Sequence, residues 1–287
     1  MIQLENEKIK ASLKSKGAEL CSLVNKQTNI DYIWRGDASF WPRHSPVLFP
    51  IVGGLIGDSF VFKGKRYQLE KHGFARDMDF EFEYVLPDQV SFVLKNSEKT
   101  FKSYPFSFLL RISYTLVENK IVVSYEVENP GEETMYFSIG THPAFNIPLT
   151  KGTVYEDYYL EFSEIENSAR QNLNGNILRG QTPYFQSQKK LPLKHELFYQ
   201  DAIIFKDLKS DSISIKSDKT PHGLRFNFEG FPYMGIWAAE DAPFVCIEPW
   251  CGLPDTDGHN QNIQDKEGII SLEPKGRWQK KWSLECF

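Results

Sequence analysis

Alternation of apolar and polar residues with a period of two runs through this chain and limits what it can fold into more than any other feature. In Phe108-Leu109-Leu110-Arg111-Ile112-Ser113-Tyr114-Thr115-Leu116 every even position is apolar. The same pattern recurs at Ile121, Val123, Tyr125 and Val127, at Phe80, Phe82 and Tyr84, and at Phe226 and Phe228. Successive side chains of a strand point to opposite faces of a sheet, so these runs predict half-buried strands. The first two are separated by Glu118-Asn119-Lys120, a connection short enough for an antiparallel hairpin. No segment carries an apolar stripe of period 3.6, and Gly, Pro, Asn and Asp punctuate the chain at intervals typical of a sandwich. The expectation is an all-β fold, a large antiparallel β-sandwich. With no internal repeat, low-complexity tract or linker, residues 1–287 read as a single domain. The polar, Asn/Gln-rich stretch from Glu164 to Lys190 is expected to be a long surface excursion.

Charge and composition exclude several classes of function. The chain is 41% hydrophobic, enough for a sizeable core. A net charge of −5 with no basic block argues against a nucleic-acid partner. The opening residues, Met1 to Leu13, lack a basic segment followed by an apolar one, and no apolar run approaches the roughly 20 residues that span a bilayer. A cytoplasmic protein with no membrane partner is expected. Cys21, Cys246, Cys251 and Cys286 have neither CxxC spacing nor the density of a disulfide scaffold, and read as reduced thiols.

Three short segments carry the residues for acid–base chemistry: Lys71-His72-Gly73-Phe74-Ala75-Arg76-Asp77, Gly140-Thr141-His142-Pro143-Ala144-Phe145-Asn146 and Cys246-Ile247-Glu248-Pro249-Trp250. Each contains Gly or Pro, which interrupts strands and places polar groups at turns on a rigid scaffold. One carboxylate and two imidazoles suit proton shuttling, because an imidazole titrates near 6.5 and a carboxylate is tuned upward by burial. Such a pair needs no metal and no organic cofactor. Glu248 lies in the apolar run Phe244 to Trp250, where an unpaired buried carboxylate is costly, so function explains it best. His72 also reads as a solvated turn residue, His142 as a hydrogen-bonded histidine at a sheet end, Arg76 as a surface ion pair with Asp77 or Asp79, and Asp201 as a turn residue before a strand. His44, His195, His222 and His259 are expected to be solvent or capping residues.

Taken in order, these motifs resemble the aldose 1-epimerase, or galactose mutarotase-like, family in its LacX-like branch. The resemblance runs from Gly17-Ala18-Glu19-Leu20 and Tyr32-Ile33-Trp34, through Trp41-Pro42-Arg43 and Pro46 to Gly53, to the three segments above. It implies a β-sandwich with a sugar on one sheet face and interconversion of the anomers of an aldose. By motif, His142 matches the general acid, Glu248 the general base, His72 and Arg76 substrate contacts, and Asp201 a hydroxyl-binding aspartate. The chain departs from the galactose mutarotases around its first histidine, so the substrate stays open among glucose, galactose and a hexose phosphate; Arg43, Arg76 and Lys71 supply donors for the last. Trp237 or Trp250 is expected against the apolar face of a pyranose. Three other readings remain: a sugar-binding or sugar-sensing protein without turnover, a glycoside hydrolase using Glu248 with Asp201, and a metal site from His72, His142 and Glu248. If the mutarotase reading holds, both imidazoles and the carboxylate should line one cleft. His142 and Glu248 should then stand on opposite sides of a pyranose-wide space.

Overall fold

In the computed structural model, which describes all residues from Met1 to Phe287, the alternating runs form the strands Leu109–Val117 and Lys120–Glu128. They pair antiparallel in continuous register from Leu109 opposite Glu128 to Val117 opposite Lys120. The hairpin turn is therefore two residues, Glu118 and Asn119, and Lys120 already belongs to the second strand. Leu110, Ile112, Tyr114 and Leu116 are buried on one face together with Ile121, Val123, Tyr125 and Val127. The opposite face holds Arg111, ion-paired with Glu83, Glu126 and Glu128.

These two strands are the middle of a nine-stranded antiparallel sheet. Its order is Gln188–Pro192, Tyr158–Glu166, Ser212–Ser217, Thr220–Asn227, Arg277–Cys286, Lys120–Glu128, Leu109–Val117, Gln89–Lys95 and Glu81–Val85. A second, eight-stranded sheet runs Ile177–Pro183, Ala169–Asn174, Ile203–Phe205, Tyr233–Trp237, Phe244–Cys251, Ile139–Thr141 and Val47–Leu48, with Ala144–Asn146 also paired to Phe244–Cys251. The inner faces meet in a core rich in aromatic rings, such as Phe49 against Phe108 at 5.2 Å and Phe226 against Trp282 at 5.2 Å. Each fully buried Phe or Leu contributes about 1.5–3 kcal/mol of transfer free energy, so this interior is the principal favourable term. The expected β-sandwich is what the chain forms; its single α-helix is the four-residue Glu98–Phe101, capped by Ser97. No helix is long and apolar enough to cross a membrane. All four cysteines are free.

Two expectations need correction. Phe82 and Tyr84 lie in Glu81–Val85, but they are 49% and 41% exposed. That strand is the outer edge of the nine-stranded sheet and is exposed on both faces, so alternation there carries no burial. The stretch Glu164–Lys190 is not an excursion. It contributes the antiparallel hairpin Ala169–Asn174 with Ile177–Pro183, which extends the eight-stranded sheet. Its polar composition reflects an edge position, where most of Ile177–Pro183 is open to solvent.

Candidate active site

Strand Phe244–Cys251 is buried along its whole length. Ile247 packs in the main core, while Trp250 belongs to a small second cluster with Leu48, Val52, Leu178, Ala202, Ile204 and Leu253. Glu248, two residues from Trp250, therefore shares the sheet face turned away from the main core. Its neighbour is set by register. Gly140 pairs with Trp250 and Ala144 with Cys246, so the position opposite Glu248 is His142, at the break between Ile139–Thr141 and Ala144–Asn146 where Pro143 has no N–H to donate. His142 Nε2 lies 3.3 Å from Glu248 Oε2, with both side chains almost wholly buried.

Burial also governs their charge. It pushes the His142 pKa down to about 3 and holds the Glu248 carboxyl well above the usual carboxylate range. The empty pair is therefore neutral, sharing one proton. After burial, Lys71 pulls Glu248 back toward its ionised form and Asp201 opposes it. Trp41 stacks on the His142 ring at 4.9 Å and Trp237 meets its edge at 5.6 Å, while Nδ1 of His142 is buried without a partner. An aromatic face over an imidazole favours the charged ring when it forms.

His72 arrives from a loop. Its φ is +68 and that of Gly73 is +69, and the Gly73 backbone comes so close to Phe49 that a Cβ there would stand 2.3 Å from the Phe49 carbonyl oxygen. The Gly53 N–H donates to Nδ1 of His72 at 3.1 Å, which leaves the ring proton on Nε2. The His72 ring stands edge-on to His142, 5.7 Å between centroids. Burial, then the charge of His142, keeps His72 well below its ordinary pKa and thus neutral. Arg76 donates from Nη2 to the Lys71 carbonyl at 2.9 Å, and Asp77 lies 3.6 Å from its Nε. Asp201 sits at φ +76 in the turn before Ile203–Phe205, its carboxylate accepting the Ala202 N–H at 2.7 Å.

All five residues singled out in the sequence, His72, Arg76, His142, Asp201 and Glu248, line one cleft of about 560 Å³ together with Trp41, Trp237 and Trp250. The Trp250 ring lies across two glycines of flanking strands. A Cβ at Gly140 would stand 2.6 Å from it, and one at Gly235 2.5 Å. The histidines and the carboxylate converge as expected, but His142 and Glu248 are in contact, not on opposite sides of a sugar-wide space. Their adjacent positions on paired strands bring them together.

The cleft is also lined or supported by residues to which the sequence reading gave no site role. Leu173 and Asn176 reach it from the hairpin read as a surface excursion. Glu19, 2% exposed, accepts the His44 N–H at 2.7 Å and the Ser45 N–H at 3.0 Å and pairs with Lys14 at 2.5 Å, anchoring the segment that carries Trp41 and Arg43. Against burial, those bonds from His44 and Lys14 hold Glu19 down at about 2. The available signal was a carboxylate between Ala18 and Leu20, both fully buried. His44 and His259 are correspondingly not solvent residues: burial opposes the His44 charge, but Cys21 and Glu19 raise its pKa to about 9, and His259 lies 3.7 Å from buried Asp255. His195 stacks on Tyr155 at 4.0 Å. For a metal in the cleft, the donor atoms that lie within 4.8 Å of one another are those of His142, Glu248 and Cys246 rather than His72; the other such group, Glu19, Cys21 and His44, lies outside the cleft lining. Burial holds Cys246 as a thiol well above its usual pKa, and the thiol is a poor ligand.

Comparison with known proteins gives a consistent result. A family model described as aldose 1-epimerase matches residues 1–266. The plasmid LacX protein of Lactococcus lactis subsp. lactis is 34% identical over an alignment of 294 residues, covering 99% of this chain and 98% of that one. The crystal structure of a galactose mutarotase related enzyme from Lactobacillus acidophilus superimposes with a TM-score of 0.96 at 34% identity, covering 100% of this chain and 97% of its own. A galactose mutarotase-like protein from Lactobacillus casei ATCC 334 gives 0.93 at 33% identity, with 100% of both chains covered.

Proposed function

The chain belongs to the aldose 1-epimerase family, and on that premise we propose that it interconverts the α and β anomers of a hexose or hexose derivative by acid–base ring opening and reclosure. The observation that carries this reading is the buried contact of 3.3 Å between His142 Nε2 and Glu248 Oε2 at the cleft. Anomer exchange moves one proton off O1 and one onto the ring oxygen, and both oxygens are bonded to the same anomeric carbon. An acid and a base in contact therefore suit the reaction better than two groups held apart across a ring.

The shared proton supplies the cycle. In the empty cleft the pair is neutral; sugar hydroxyls donating to Glu248, together with Lys71, favour moving that proton to His142, whose charge Trp41 then faces. Glu248 takes the O1 proton as base while the His142 imidazolium protonates the ring oxygen, and the C1–O5 bond breaks to give the open-chain aldehyde. Rotation about C1–C2 presents the other carbonyl face. Reclosure returns the O5 proton to His142 and the Glu248 proton to O1, so no proton is exchanged with solvent. Positioned proton transfer lowers the barrier by about 10²–10⁴-fold, or 3–5 kcal/mol. His72, Arg76 and Asp201 contact ring substituents, and Trp250, flat over Gly140 and Gly235, offers an apolar face to the pyranose.

Polarimetry of freshly dissolved α-glucose and α-galactose, with and without the protein, tests the proposal. Accelerated approach to the equilibrium rotation is expected; binding without acceleration would establish a sugar-binding protein instead.

A further inference from the structure

Behind the cleft wall an ion pair lies out of water. Lys266 Nζ is 2.7 Å from Asp255 Oδ1, and each side chain is 1% exposed. Burial opposes the charge of Lys266, and Asp255 supports it. Neither residue lines the cleft. Taking two charges out of water costs about what their attraction returns, so such a pair adds little stability over apolar residues of the same volume and calls for another reason.

The other atoms of Asp255 supply one. Its Oδ2 accepts the Ile56 N–H at 2.9 Å, its own N–H donates to the Gly54 carbonyl at 2.9 Å, and its carbonyl accepts the Leu178 N–H at 2.8 Å. Lys266 occupies Oδ1, which leaves Oδ2 for Ile56. His259 stands 3.7 Å from Oδ1 with its Nδ1 engaged by the Gln261 N–H. The preceding residue, Pro254, closes on the same loop: a Cβ at Gly53 would lie 2.4 Å from its Cγ. Asp255 therefore grips Gly54 and Ile56, immediately after Gly53. Gly53 in turn holds His72 at two points, donating its N–H to Nδ1 at 3.1 Å and accepting the His72 N–H on its carbonyl at 2.9 Å. An N–H aimed at Nδ1 is compatible with one neutral tautomer only, the ring protonated on Nε2.

We propose that Asp255, oriented by Lys266, is a positioning residue for His72: through Gly54 and Ile56 it fixes the Gly53 N–H on Nδ1 and so keeps His72 a hydrogen-bond donor through Nε2. Its effect on turnover rests on the mutarotase reading, in which His72 contacts the sugar; its effect on the tautomer does not.

Long-range proton–nitrogen correlation NMR of the His72 ring at neutral pH reads the tautomer, and three variants separate grip from charge. Asp255→Ala with Lys266→Met removes the side-chain grip without stranding a charge. Asp255→Asn with Lys266→Met removes the same charges but restores an acceptor for Ile56. Ile56→Pro keeps the ion pair and deletes the N–H, at the first position of the short helix Ile56–Asp58, where proline is tolerated. The first and third should lower the ratio of the Nε2–H to the Nδ1–H form about 3–10-fold, the scale of one hydrogen bond, and the second should restore it. On a sugar that the wild type exchanges, the first and third should raise KM about 3–10-fold with a smaller change in kcat. A wild-type ring protonated on Nδ1, an unchanged ratio in either grip-deleting variant that folds, or the same ratio in the Ala and Asn variants would overturn the proposal. If the tautomer responds but no sugar exchanges, the mutarotase reading falls and the positioning role stands.

Discussion

At one end of the cleft Glu248 and His142 lie on paired segments of a sheet, and at the other Lys71, His72 and Arg76 lie on a loop whose backbone turns through left-handed conformations. The first end is held by strand register and is almost dry, so its charge state is set by burial. The second is held by single hydrogen bonds, such as Gly53 N–H to His72 and Arg76 to the Lys71 carbonyl, and keeps its cations partly in water. Register is hard to alter without losing the sheet, whereas loops accept change. On the proposed mechanism the His142–Glu248 pair is therefore the part a fold of this kind can keep constant, and the loop is the part that can be retuned for different sugars.

Breaking the first end should cost the most. Glu248→Gln keeps shape and removes basicity, so catalysed exchange should fall by at least about 10²-fold with little change in sugar affinity. His142→Asn should fall comparably, and the double variant only slightly further, because the two groups share one proton. Additive losses by NMR exchange kinetics would show that they act separately.

Next comes the loop's backbone. Gly73→Ala meets both a positive φ and the Phe49 carbonyl at 2.3 Å, and should cost about 2–3 kcal/mol in urea denaturation. Gly180→Ala has the same sign of φ with nothing near its Cβ and should cost only about 1 kcal/mol. Equal losses would mean that the His72 loop is not clamped by its contact with Phe49. Asp201→Asn should then raise KM about 3–10-fold with a smaller effect on kcat, since it retains an acceptor but loses the charge. A kcat loss as large as that of Glu248→Gln would move Asp201 into the chemistry.

The smallest effect is the response to pH. The pair works while it holds one proton. Burial delays a second proton on His142 until pH approaches about 3 and keeps the single proton on Glu248 to well above 4.5. Activity should therefore be lost on the acid side through His142 and on the alkaline side through Glu248. Between about pH 4 and 6 kcat/KM should vary by less than about threefold. An acid limb centred near 6.5 would show a solvated imidazole and break the contrast between the dry and the wet end.

Much of this protein was legible in its sequence. The runs at Phe108–Leu116 and Ile121–Val127 predict the central hairpin because strand periodicity is local, and Gly73, Pro143 and Pro249 beside polar residues flag the site segments because those residues restrict the backbone. Composition misleads at edges: Phe82 alternates without burial, and the polar hairpin Ala169–Pro183 joins the sheet with little more than Leu173 and Leu178 packed against it. The sequence by itself determined the all-β class, the family and the candidate residues His72, Arg76, His142, Asp201 and Glu248. Tertiary structure decided that His142 stands opposite Glu248 at 3.3 Å, that Glu19 anchors the segment bearing Trp41, and that cations collect beside His72. Those facts depend on pairing between segments far apart in the chain, and no local pattern encodes which residue of one strand faces which residue of another.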